Sequence, residues 1–130
     1  MANGVKLTAS NIRYLVTLLR MRESENGVRC VDLADALGVT RPSVHKKTEY
    51  LCQMGLVEKG GRGSAFLTEQ GKQTARRYAQ CLDGVSRILK GQLPQQQDWA
   101  VPVTALLAEI PQEHIEAWYP QASAAQPYDD

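Results

Sequence analysis

The chain has 130 residues, of which 43% are hydrophobic, enough for one domain with a core plus an appendage. Fifteen Lys and Arg stand against fourteen Asp and Glu, for a formal net charge of +1. No run approaches the roughly 20 apolar residues of a membrane span, and three widely spaced cysteines argue against a disulfide framework.

Residues 8–23 (TASNIRYLVTLLRMRE) repeat Ile12, Leu15, Val16 and Leu19 at helical spacing, with Thr8 or Ser10 as a cap. Residues 24–27 (SENG) are turn chemistry, and 28–30 (VRC) form a short extended segment. Residues 31–38 predict a short helix with Leu33, Ala34 and Leu37 inward, closed by Gly38. Thr40 is suited to cap the next helix, and Pro42 fits its first turn. That helix runs to about Met54, with Val44, Thr48 and Leu51 or Cys52 inward, and Gly55 ends it.

Residues 56–60 (LVEKG) and 64–68 (SAFLT) predict two short strands around a Gly-rich tip with Arg62 at its apex. A long helix follows from Thr68, with Ala75, Tyr78, Leu82, Val85 and Leu89 as its apolar stripe. Gly71 and Gly84 each weigh about 1 kcal/mol against it. Residues 91–102 read as a polar linker, 103–110 and 112–119 as two short helices split by Pro111, and the last stretch as a disordered tail.

The order helix, turn, basic helix, hairpin is that of a winged helix-turn-helix, which sets one helix in the DNA major groove. The expected fold is therefore mainly α: a three-helix core with a two-stranded wing, and a C-terminal helical extension that dimerises. Three regions are expected: a DNA-binding domain over 1–72, a helical dimerisation region over 73–120 and a tail over 121–130. Arg41, Ser43, His45, Lys46 and Lys47 point away from the inward face of helix 41–54. Lys46 suits guanine, Ser43 and His45 suit bases or phosphate, and Lys47 suits phosphate. Arg62, on the 60–64 wing, suits the backbone or the minor groove.

Charge distribution agrees. Residues 1–90 hold all fifteen basic residues against eight acidic ones, a net of +7, and 91–130 hold six acids and no Lys or Arg. A basic body fits a polyanion partner. Cys30, Cys52 and Cys81 contain no Cys-x-x-Cys pair, and the first ten residues carry no apolar signal core. Both features point to a reducing cytoplasm and away from a membrane.

Residues 8–90 resemble the DNA-binding part of the iron- and manganese-dependent bacterial repressors related to the diphtheria toxin repressor. The carrying segments are VDLADALGVTRPSVHKKTEYLCQMGLVEK and LTEQGKQTARR. The resemblance implies a repressor that binds operator DNA as a homodimer, with the region after the wing forming the dimer contacts and Ser43, His45 and Lys46 facing the DNA. The family's metal ligands are largely missing. Ser10 and Arg13 stand where carboxylates belong, Leu82 stands where a His belongs, and Glu113-His114 lies several residues too far along. Cys81, Asp83, Glu109, Glu113 and His114 are the residues left to hold a divalent manganese or iron ion. No cofactor is assigned.

Leu106, Leu107, Ile110, Ile115 and Trp118 find no place in a three-helix winged core and suit burial against the long helix of the same chain or of a partner, as a packing or dimer surface. The runner-up reading is a winged-helix adaptor that docks proteins through the same basic helix. An enzyme is not expected. The Gly-rich segment lies in a hairpin rather than ahead of a helix, and no nucleophile-elbow or metalloprotease pattern occurs.

Overall fold

The computed structural model describes residues 7–21, 27–93 and 98–118. The tail expected over 121–130 lies outside the described residues. The chain is mainly helical with a small three-stranded antiparallel sheet. The helices are α1 (Ala9–Met21), α2 (Cys30–Leu37), α3 (Arg41–Gln53), α4 (Glu69–Gln92), α5 (Ala100–Ala108) and α6 (Gln112–Ala117). The strands are β1 (Val28–Arg29), β2 (Val57–Lys59) and β3 (Ser64–Leu67), with a 3-10 turn at Gly61–Gly63. Two compact units separate, one of Arg13–Ala75 and one of Met1–Ile12 with Arg76–Asp130.

In the first unit, Leu15, Val16, Leu18 and Leu19 of α1 are buried, as are Leu33, Ala34 and Leu37 of α2 and Val44 and Leu51 of α3. Burial around α1 is wider than the four-residue stripe expected from its spacing, because Tyr14 and Leu18 also leave solvent. Each fully buried aliphatic side chain contributes roughly 1.5–3 kcal/mol. The Arg13 guanidinium donates to the Leu37 carbonyl at 3.4 Å and so ties α1 to the end of α2.

The sheet is larger than the expected two-stranded wing. Its order is β1-β3-β2, with Val28 opposite Ala65 and Val57 opposite Leu67. The third strand forms because Val28 is buried and because Gly27, at φ +91°, brings the chain against β3. A Cβ at Gly27 would lie 2.5 Å from the Ala65 carbonyl oxygen. Only glycine combines that conformation with that approach.

Thr68 starts α4. Its hydroxyl accepts from the Gly71 amide at 2.9 Å and donates to the Gly55 carbonyl at 2.7 Å, so one side chain caps α4 and closes the turn after α3.

The second unit buries Leu7, Ile12, Tyr78, Ala79, Cys81, Leu82, Val103, Leu107 and Ile115. The Arg77 guanidinium donates to the Trp118 carbonyl at 3.5 Å, which joins α4 to the end of α6. The linker expected over 91–102 is shorter, because α4 reaches Gln92 and α5 starts at Ala100. Asp98 accepts from the Ala100 amide at 3.0 Å. Pro102 then falls in the first turn of α5, where its missing N–H removes no helical hydrogen bond.

Candidate nucleic-acid interface

The site is built on α3. Gly38, at φ +69°, ends α2 in the left-handed conformation, and its amide and that of Val39 return to Asp35 and Ala34. Thr40 follows in extended conformation, and its hydroxyl oxygen accepts from the Ser43 amide at 3.2 Å. The same hydroxyl donates to Ser43 Oγ at 2.9 Å. Ser43 therefore keeps its own hydroxyl proton to donate outward.

Val44, Thr48 and Leu51 are buried, as their spacing predicts. Arg41, Ser43, His45 and Lys46 are exposed. The exposed stripe continues further than the sequence-based set. Ser43, Lys46, Tyr50 and Gln53 follow at steps of three, four and three residues, and all four are exposed. Tyr50 and Gln53 were absent from that set, which stopped at the basic half of α3. The same helical period that placed Ser43 and Lys46 would have found them.

Lys47 departs from its expected place. It is half-buried, and its ammonium lies 5.9 Å from the Tyr14 ring centre and 5.6 Å from the Tyr50 ring centre. Burial pulls its pKa down. Such a cation is held by ring faces rather than extended into solvent.

Glu49 is exposed on the flank next to His45 and is ion-paired to Lys59 at the end of β2. The bonded ammonium holds the Glu49 carboxyl below its usual range, and the Lys59 ammonium is raised in return. Past Lys59 the chain turns through Gly60–Gly63. The Gly60 amide donates to the Ser64 carbonyl at 2.9 Å, and Ser64 Oγ donates to the Gly61 carbonyl at 2.8 Å. Arg62 is exposed at the apex with φ 58° and ψ 40°, the one non-glycine residue at positive φ among the described residues.

Arg41, Lys46 and Arg62 are exposed cations of this unit, and the carboxylate of α3, Glu49, is ion-paired to Lys59. Lys46 and Gln53 carry side-chain N–H donors of the kind that meet base edges, and Ser43 and Tyr50 carry hydroxyl donors of the kind that meet phosphate oxygens.

The residues considered for a metal do not gather. Cys81 is fully buried, and its thiol is pushed up to about 11 mainly by burial, which opposes the thiolate a metal takes. Glu109, Glu113 and His114 are exposed, with His114 Nε2 3.6 Å from Glu113 Oε2, and Asp83 is half-exposed. Among the described residues no three His, Cys, Asp or Glu side chains come together to hold an ion. Nor, among these residues, is any helix long and apolar enough to cross a membrane.

No protein-family model matches the chain, and no curated protein matches it. Its fold is similar to the crystal structure of a hypothetical protein from Sulfolobus solfataricus, with a TM-score of 0.59 and 20% identity over 95% of this chain and 92% of that one. At that identity the likeness concerns the fold.

Proposed function

We propose that the protein is a sequence-specific DNA-binding transcription regulator built on a winged helix-turn-helix. In this reading α3 enters the major groove and the 60–64 turn lies on the backbone or in the minor groove. The observation that carries it is the exposed stripe of α3. It starts from a capped, rigid N-terminus, carries Ser43, Lys46, Tyr50 and Gln53, and has its flanking acid Glu49 occupied by Lys59.

The repressor family of the diphtheria toxin repressor is the proposed kinship, here without that family's metal ligands. The functional unit is a homodimer. Ile88, Leu93, Val101 and Leu106 are large apolar side chains left exposed in the C-terminal unit, and they suit a second copy of the chain. Two copies would set their α3 helices about 34 Å apart, one turn of DNA.

Selection of preferred duplexes from a random pool tests the reading. A consensus should emerge, and log affinity should fall with log salt by about 0.9 for each phosphate neutralised. Loss of any consensus, with binding indifferent to salt, would leave α3 as a protein-docking surface instead. Sedimentation that finds only monomer at micromolar concentration would remove the dimer.

A further inference from the structure

The three aromatic and cationic side chains along one flank of α3 form a chain of contacts. Tyr14 is fixed, since it lies in α1 and is only 5% exposed. The Lys47 ammonium lies over its ring and also over the ring of Tyr50. Tyr50 itself is 48% exposed and belongs to the outward stripe. We infer that Lys47 is a positioning residue that fixes the Tyr50 ring, and that the Tyr50 hydroxyl, not the Lys47 ammonium, donates to a DNA backbone phosphate. This inference rests on the DNA-binding reading and names one of its contacts.

The physical argument has two parts. For Lys47 to reach phosphate it must leave both ring faces, each contact being favourable where water is partly excluded. Burial also lowers its pKa, in keeping with a side chain packed against the protein. Tyr50, by contrast, already projects from the stripe. A large exposed ring normally loses rotational freedom on binding, and a ring held in place loses less. A tyrosine hydroxyl is also among the side-chain donors that meet phosphate without reading sequence.

The test uses the full chain and a fluorescein-labelled mixed-sequence duplex, read by anisotropy between roughly 50 and 200 mM salt. Lys47→Met keeps the aliphatic stem and should weaken binding several-fold with the salt slope unchanged. Lys47→Arg keeps the ring contacts and should restore affinity. Tyr50→Phe should weaken binding several-fold, again with the slope unchanged. In a Tyr50→Ala background Lys47→Met should add no further loss. A readout without DNA accompanies these. The Lys47 Hε resonances should lie upfield in the NMR spectrum of the wild-type chain and move downfield in Tyr50→Ala.

A slope reduced by about 0.9 in Lys47→Met would make Lys47 itself the phosphate ligand and overturn the inference. So would losses that simply add in the double variant, or Lys47 resonances at their random-coil position. A wild-type chain that fails to bind duplex overturns the DNA reading and this contact with it.

Discussion

Lys59 at the end of β2 is ion-paired with Glu49 in the middle of α3. The pair links the hairpin to the candidate recognition helix. It also occupies the acid that flanks the exposed stripe, whose field would otherwise repel phosphate. Both side chains are exposed, so the pair adds little to stability. Its effect should appear in binding. Lys59→Met should weaken duplex binding several-fold, whereas Glu49→Gln should leave it equal or stronger. Lys59→Met should cost clearly less when Glu49 is already Gln. Equal losses in both backgrounds would mean that Lys59 touches DNA directly rather than acting through Glu49.

Arg62 occupies the left-handed region that favours glycine. A non-glycine residue so placed costs about 1–2 kcal/mol. Arg62→Gly should therefore raise the urea midpoint, while duplex affinity falls and the salt slope drops by about 0.9. An unchanged midpoint would show that the turn carries no strain. An unchanged affinity would remove Arg62 from the interface.

Much of the first unit was legible in the sequence because local chemistry decides it. Thr40, Pro42, Gly38 and the row Val44, Thr48 and Leu51 each act within a few residues, and each does what its position predicts. The misses are long-range. Residues 28–30 read as extended and β1 holds the first two of them, but its pairing with β3 as a third strand joins distant positions that no local pattern connects. The two-ring setting of Lys47 depends on Tyr14, thirty-three positions earlier, which no helical period connects. The pairing of Glu49 with Lys59 was invisible for the same reason. The start of α5 was placed late because Pro102 reads as a breaker until Asp98 shows where the helix begins.

Gly71 illustrates a residue whose cost the sequence states with the wrong sign. Helix propensity alone makes Gly71→Ala stabilising by about 1 kcal/mol. In the fold, however, a Cβ at Gly71 would stand 1.9 Å from the Leu56 carbonyl oxygen. That atom is backbone, and the Leu56 carbonyl accepts from the Thr68 amide, so it cannot move freely. Gly71→Ala should destabilise by about 1–3 kcal/mol. Gly91→Ala, near the end of the same helix with open space around it, should be neutral or mildly stabilising. Equal urea midpoints for the two variants would contradict the close approach.

Tyr78 and Cys81 give the protein an alkaline limit. Both are fully buried on α4. Burial, then the nearby Glu116 and Cys81, push Tyr78 from 10.0 to about 12, and burial pushes Cys81 from 9.0 to about 11. In both cases the folded chain keeps a proton that the unfolded chain releases at lower pH. Stability from these groups is complete below pH 9 and declines as pH rises, through Cys81 first and Tyr78 above pH 10. The Tyr78 change corresponds to roughly 2–3 kcal/mol across its range. The Tyr78 hydroxyl also has no hydrogen-bond partner among the described residues. Tyr78→Phe should then match or exceed the wild-type chain at pH 7, because a buried, unpaired hydroxyl is removed. It should also hold its urea midpoint better between pH 10 and 12, while Cys81→Ala gains mainly between 9 and 11. A Tyr78→Phe variant that loses more than about 1 kcal/mol at pH 7 would mean that the hydroxyl is hydrogen-bonded in solution.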